Sequence, residues 1–155
     1  MSRAFVKEPE GTDAFEDLPD RPISPHPNFV TADGLGQIEA ELARAHEQHA
    51  AAQAANDRAA LARAGRELRY WTARRSSAQL VPAPPDAGKV HFGSTVTLAR
   101  DDGRRQTYRI VGEDEADPAR GTLSHASPLA RALVGKEVGD VVSAGDSELE
   151  ILQIA

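Results

Sequence analysis

The sequence predicts an α+β protein, with an N-terminal antiparallel α-helical hairpin of coiled-coil type followed by an antiparallel β-sheet that carries one short helix. Three observations carry this prediction. Leu35, Ile38, Leu42, Ala45 and Ala52 follow a three-four spacing, and Leu61, Ala64, Leu68 and Trp71 repeat it after an interval too short for anything but a hairpin. Residues 81–88 then place three prolines within four positions, which excludes helix and removes ladder donors. Beyond that linker, short strand candidates at 89–92, 95–100, 107–111, 122–124, 141–143 and 148–154 are separated by turn residues.

Residues 1–29 mix acids with prolines at 9, 19, 22, 25 and 27, and Phe5, Val6, Phe15 and Leu18 show no sustained period. This composition reads as a disordered or loosely docked arm, with Phe29 packing where the arm meets the helices. The hairpin is expected over 30–80. Thr31 offers an N-cap and Asp33 places its charge in the first turn, where the helix dipole favours it. A first helix of about 22 residues extends roughly 33 Å. The turn is expected at Ala54 to Asp57, because Asn56 tolerates a left-handed backbone and Asp57 can cap the second helix. Ala50 to Ala55 has high helix propensity and little side-chain volume, so the distal turns should be close-packed but weakly held. Trp71 reads as an anchor at the hairpin base.

In the domain expected at 89–155, Asp101-Asp-Gly103 suits a hairpin between the second and third strands. Ser127 suits an N-cap and Pro128 the first helical position. Leu129, Ala130, Leu133 and Val134 make an apolar face, and Gly135 can stop the helix after two turns at most. Val138-Gly139-Asp140 turns the chain into Val141 and Val142, so this helix should lie against the sheet.

The charge balance narrows the function. With 18 Lys and Arg against 24 Asp and Glu, the net charge of −6 argues against a general polyanion binder. The absence of cysteine removes disulfides, thiolate zinc sites and cysteine nucleophiles, and fits a reducing cytoplasm. Neither a membrane-length apolar run nor a signal-peptide pattern is found, so a soluble cytoplasmic protein is expected. Residues 57–80 carry six arginines, at 58, 63, 66, 69, 74 and 75, against Asp57 and Glu67. That basic helix suits nucleic acid or an acidic protein surface, and equally a solvated face.

Chemical constellations are sparse. The acidic run Glu113 to Asp117 lacks the spacing and glycine of a calcium loop and reads as a solvated turn. His46 and His49 stand i, i+3 without a third ligand, while His26, His91 and His125 are isolated. With no nucleophile-and-base pair, phosphate-cradling loop or metal cluster in the pattern, an independent enzyme is not expected.

The run from Phe92-Gly-Ser-Thr-Val96 through Tyr108-Arg-Ile-Val-Gly-Glu-Asp-Glu-Ala-Asp117 to Ser127-Pro-Leu-Ala-Arg131 and Gly135-Lys-Glu-Val-Gly-Asp140 resembles the GreA/GreB family of bacterial transcript-cleavage factors. The resemblance spans roughly residues 30–155 and is most specific in the C-terminal half. It implies an FKBP-like fold for 89–155 that docks on RNA polymerase through Ser127, Pro128, Leu129 and Arg131. It also implies a hairpin directed toward the polymerase secondary channel, with Asn56, Asp57 and Arg58 at its tip. Arg58 and Arg63 would then lie near RNA or DNA of the transcription complex.

Cleavage-stimulating members carry two acidic tip residues that help hold a second magnesium ion, because the ion must be neutralised and oriented beside the attacking water. Here the tip reads Ala54-Ala-Asn-Asp-Arg-Ala-Ala60, with Asp57 as its lone carboxylate, on helices several turns shorter than the family's. The expectation is a monomeric polymerase-binding regulator with no cofactor of its own and without full cleavage-stimulating activity, like short-hairpin relatives such as the regulator of nucleoside diphosphate kinase. A genuine cleavage factor, with Asp57 and a second carboxylate on Mg2+, is the alternative. A peptidyl-prolyl isomerase follows from the fold alone, with Phe92 and Tyr108 as its available aromatics.

Overall fold

A computed structural model describes residues 18–155, so the expectation for the first 17 residues of the arm lies outside the described residues. Two compact units are present: Ile38–Ser76 with the described residues before His26, and His26–Gln37 with Ser77–Ala155. The expected partition at 29/30 and 80/81 differs from this grouping. Residues 26–37 belong with the sheet because their backbone and side chains bond to it, as described below.

The first unit holds all but residues 32–37 and Ser77 of a hairpin of two helices, α1 (Ala32–Ala54) with 23 residues and α2 (Arg58–Ser77) with 20. Ile38, Ala45, Ala52 and Ala64 are buried, and Leu42, Leu61, Leu68 and Trp71 are half-buried. The three-four spacing therefore identifies the seam, and small residues dominate its distal part. Arg74 departs from the expectation of one basic strip, since it is only 2% exposed. A guanidinium is withdrawn from water only with compensation, so Arg74 belongs to the interior and not to a solvated face. Arg69 and Arg75 are ion-paired, to Asp20 and Glu39.

The second unit contains β1 (Phe29–Val30), β2 (Gln79–Leu80), β3 (Thr95–Arg100), β4 (Arg105–Val111), β5 (Thr122–Ser124), helix α3 (Pro128–Leu133), β6 (Val141–Ala144) and β7 (Ser147–Ile154). Five strands form one sheet in the order β5-β4-β3-β7-β6. The β3–β4, β3–β7 and β6–β7 pairings are antiparallel, as expected, whereas β5 lies parallel to β4. A short 3-10 turn at Pro118–Arg120 brings the chain back along β4 for that parallel pairing. The sheet is accordingly mixed.

The strand expected at 89–92 is not formed. Val90 instead exchanges backbone bonds with the turn after α3, donating to Lys136 O at 2.9 Å and accepting from Gly135 N at 2.8 Å. A two-residue parallel pair, β1 with β2, has no signature in the sequence because neither segment alternates over a useful length. It is extended by Gln79 N donating to Asn28 O and Val81 N donating to Val30 O.

The core packs α3 onto one face of the sheet. Val96, Leu98, Ile110, Ala130, Leu133 and Ile151 have no solvent exposure. In β7 the buried residues are Leu149, Ile151 and Ile154, a spacing that breaks strict alternation. The register shift opposite Thr97/Leu98 inserts one residue and returns Ile154 to the core face. Of the apolar face expected on α3, Ala130 and Leu133 are buried and Leu129 packs partly against the core. Val134 lies past the helix end and is 48% exposed, a departure caused by the turn to Gly135 at φ 84°.

Candidate functional site

The sequence points to two places, one in each unit. At the hairpin tip, α1 ends through Asn56 N donating to Gln53 O and Asp57 N donating to Ala52 O. Asn56 takes the left-handed backbone, φ 50°, that an amide side chain tolerates. Asp57 Oδ1 accepts from Ala60 N at 3.0 Å and so caps α2. Asn56, Asp57 and Arg58 are all exposed, as is Arg63 one and a half turns further along α2. The donor set does not fit a magnesium site: one carboxylate oxygen already accepts the cap bond, and the neighbours are alanines, an amide and a guanidinium.

In the sheet unit, Ser127 Oγ accepts from Ala130 N at 3.3 Å, and Pro128 occupies the first turn of α3. Pro128 and Arg131 are exposed, Ser127 and Leu129 half-buried. The four residues therefore share a short helix, although Leu129 also serves the core. Beside them, Phe29, Phe92 and His125 form an aromatic cluster with ring centroids 5.3 to 6.0 Å apart. Together with Arg131 and Val134 they line an open recess of about 350 Å³. The sequence singled out Phe92 alone among these ring residues for such a role. Phe29 and His125 reach the recess from distant parts of the chain, for which no local signal exists.

The acidic run contains one residue that sequence reasoning missed. Glu115 Oε1 accepts from Thr31 Oγ1 at 2.6 Å, and Oε2 accepts from Thr31 N at 3.3 Å and Gly112 N at 3.4 Å. Thr31 Oγ1 in turn caps α1 by accepting from Gly34 N at 3.0 Å. A Cβ on Gly112 would stand 2.6 Å from the backbone oxygen of Phe29, so that approach requires glycine, whereas a Cβ on Gly34 would displace the Glu115 carboxylate from its bonds. Glu115 is thus a clamp on the start of α1, and the solvated-turn reading fails at this residue.

The profile described as "Transcription elongation factor, GreA/GreB, C-term" matches residues 84–155. A transcription elongation factor GreA of Legionella pneumophila (strain Corby) is 38% identical over 155 aligned residues, covering 94% of this chain and 92% of that protein. The chain belongs to the GreA/GreB family. Another GreA, from Alkalilimnicola ehrlichii, is 51% identical over 86 residues, covering 51% of this chain and about half, 54%, of that relative's length. Among solved structures, GreA factor homolog 1 (Gfh1) of Thermus thermophilus is 22% identical, with 84% of this chain and 99% of that chain covered and a TM-score of 0.41. A GreA/GreB elongation factor from Nitrosomonas europaea is 15% identical, with 83% and 98% covered and a TM-score of 0.42.

As a Gre-family protein, the chain joins the hairpin and sheet units through a helix, α1, whose first turns belong to one unit and whose remainder belongs to the other. Among the described residues, no helix is long and apolar enough to cross a membrane, and no group of three His, Cys, Asp or Glu is placed to hold a metal ion.

Proposed function

We propose that this Gre-family protein binds RNA polymerase in the cytoplasm through its sheet unit and modulates elongation or initiation without full cleavage-stimulating activity. Ser127, Pro128, Leu129 and Arg131 form the docking surface, and the hairpin is directed toward the secondary channel. Arg58 and Arg63 approach RNA or DNA of the transcription complex, and no catalytic group is supplied by the chain. The observation that carries this reading is the tip: its lone carboxylate, Asp57, is engaged as the cap of α2.

The test is a cleavage assay on backtracked elongation complexes, with and without an authentic cleavage factor. The expected result is inhibition of the authentic factor and no stimulation by this protein alone. Stimulation by the protein alone would overturn the reading in favour of a genuine cleavage factor, a reading supported by the elongation factor GreA of Legionella that aligns over nearly the whole chain.

A further inference from the structure

The described stretch before His26 is tied to α2 at adjacent points. Asp20 Oδ1 accepts from Arg69 Nε at 2.6 Å, and Arg21 Nη1 donates to Glu67 Oε2 at 2.8 Å. The guanidinium carbon of Arg21 stands 3.7 Å from the centroid of the Tyr70 ring and 5.6 Å from that of Trp71. Those two rings meet edge to face, with centroids 4.9 Å apart.

These interactions are unequal. The Asp20 and Arg69 side chains are 67% and 55% exposed, so their ion pair is screened by water and holds little. Arg21, at 33%, combines an ion pair with an aromatic face and is the anchor. The attachment is therefore specific but shallow, as suits a segment that a competitor must displace.

Two of the groups it covers, Arg69 and Tyr70, suit one ligand, while the third, Glu67, is a carboxylate that Arg21 neutralises. Asp20 sets a carboxylate on the Arg69 guanidinium, where a phosphate oxygen would sit, and Arg21 lays a planar cation on Tyr70, where a base would stack. Arg63 stands exposed two helical turns from Tyr70 on the same stripe. Residues 1–24 also carry six acidic against three basic side chains, half of the chain's net charge, and so repel a polyanion.

We propose that residues 18–24 are an autoinhibitory strap that occupies, in cis, a single-stranded RNA site on α2 formed by Arg63, Arg69 and Tyr70. RNA displaces the strap when a phosphate takes Arg69 and a base takes the Tyr70 face. Neither polymerase docking nor channel entry is involved, and the test contains no polymerase, so its failure leaves the reading above standing.

The experiment uses the full chain carrying Asp20→Asn with Arg21→Ala, a pair that leaves net charge unchanged. Anisotropy of a labelled single-stranded RNA decamer at fixed salt reads affinity, and acrylamide quenching of Trp71, the one tryptophan of the sequence, whose ring Arg21 approaches, reads release of the strap. The expected result is stronger quenching with affinity tightened about tenfold, the scale of one base–aromatic stack. Adding Arg69→Gln and Tyr70→Leu should return affinity to the parent level or below, with helicity retained by circular dichroism. Stronger quenching with unchanged affinity, unchanged quenching, or a gain that survives removal of Arg69 and Tyr70 each overturns the proposal.

Discussion

Asp57 has two candidate roles that one substitution separates. Its Oδ1 accepts from Ala60 N, and asparagine caps a helix about as well as aspartate, so Asp57→Asn keeps the cap and removes the charge a metal would need. Asp57→Asn is expected to leave helicity and polymerase modulation intact, whereas Asp57→Ala should cost about 1 kcal/mol of local stability. Thermal melts followed by circular dichroism, beside transcription assays over a magnesium titration, check both. Loss of a magnesium-dependent activity in the asparagine variant would falsify the cap-only role. Glu115 makes the opposite case, a charged residue whose value lies in three bonds accepted from Thr31 and Gly112. Glu115→Ala leaves the Thr31 and Gly112 donors without this partner, and about 1–3 kcal/mol should be lost. A fall in the urea midpoint with unchanged slope is the expected signature.

Element by element, α3 and α2 carry the interactions to be tested. Because Leu129 packs partly on the core while Pro128 and Arg131 are exposed, docking is best probed by Pro128→Asp with Arg131→Glu. Aspartate suits the first turn of a helix, while glutamate at the exposed, last-turn Arg131 costs only the few tenths to about 1 kcal/mol of a surface charge–dipole interaction, so the double variant should still fold. Its polymerase affinity should fall at least about tenfold by co-sedimentation or pull-down, the scale of one well-made polar interaction; parental affinity would remove α3 from the docking surface. On α2, Arg58→Ala with Arg63→Ala should weaken the effect on transcription and flatten its salt dependence. The logarithmic slope should change by about 0.7 for each phosphate of a single strand that is no longer neutralised. Superimposable salt curves for the two proteins would mean that these arginines face solvent.

At the scale of the whole molecule, the two units are built on different chemistry and should open at different free energies. The distal hairpin is held by Ala45, Ala52 and Ala64, which bury little area, whereas the sheet unit has a core of Val96, Leu98, Ile110, Leu133 and Ile151 without solvent exposure. Amides of residues 48–62 should therefore exchange well before those of β3 and β7, by native-state hydrogen exchange. Equal protection in both would show that the tip is held by more than its seam. Much of this organisation is local and legible in the chain. Periodicity locates both helices, and residue type locates the Asn56–Asp57 turn and the caps at Thr31, Ser127 and Asp57, because each depends on residues within about one turn of one another. Other features join residues far apart in sequence, and local pattern carries no information about such meetings. Glu115 meets Thr31, β1 pairs with β2, β5 lies parallel to β4, Phe29 and His125 come to Phe92, and Asp20 and Arg21 settle on α2. Sequence by itself determined the three α-helices, the strands β3 to β7, their order and the family. Tertiary structure alone decided which charged residues are engaged, since an acidic run or a basic strip looks the same in sequence whether its members face water, as Arg63 does, or lie buried, as Arg74 does.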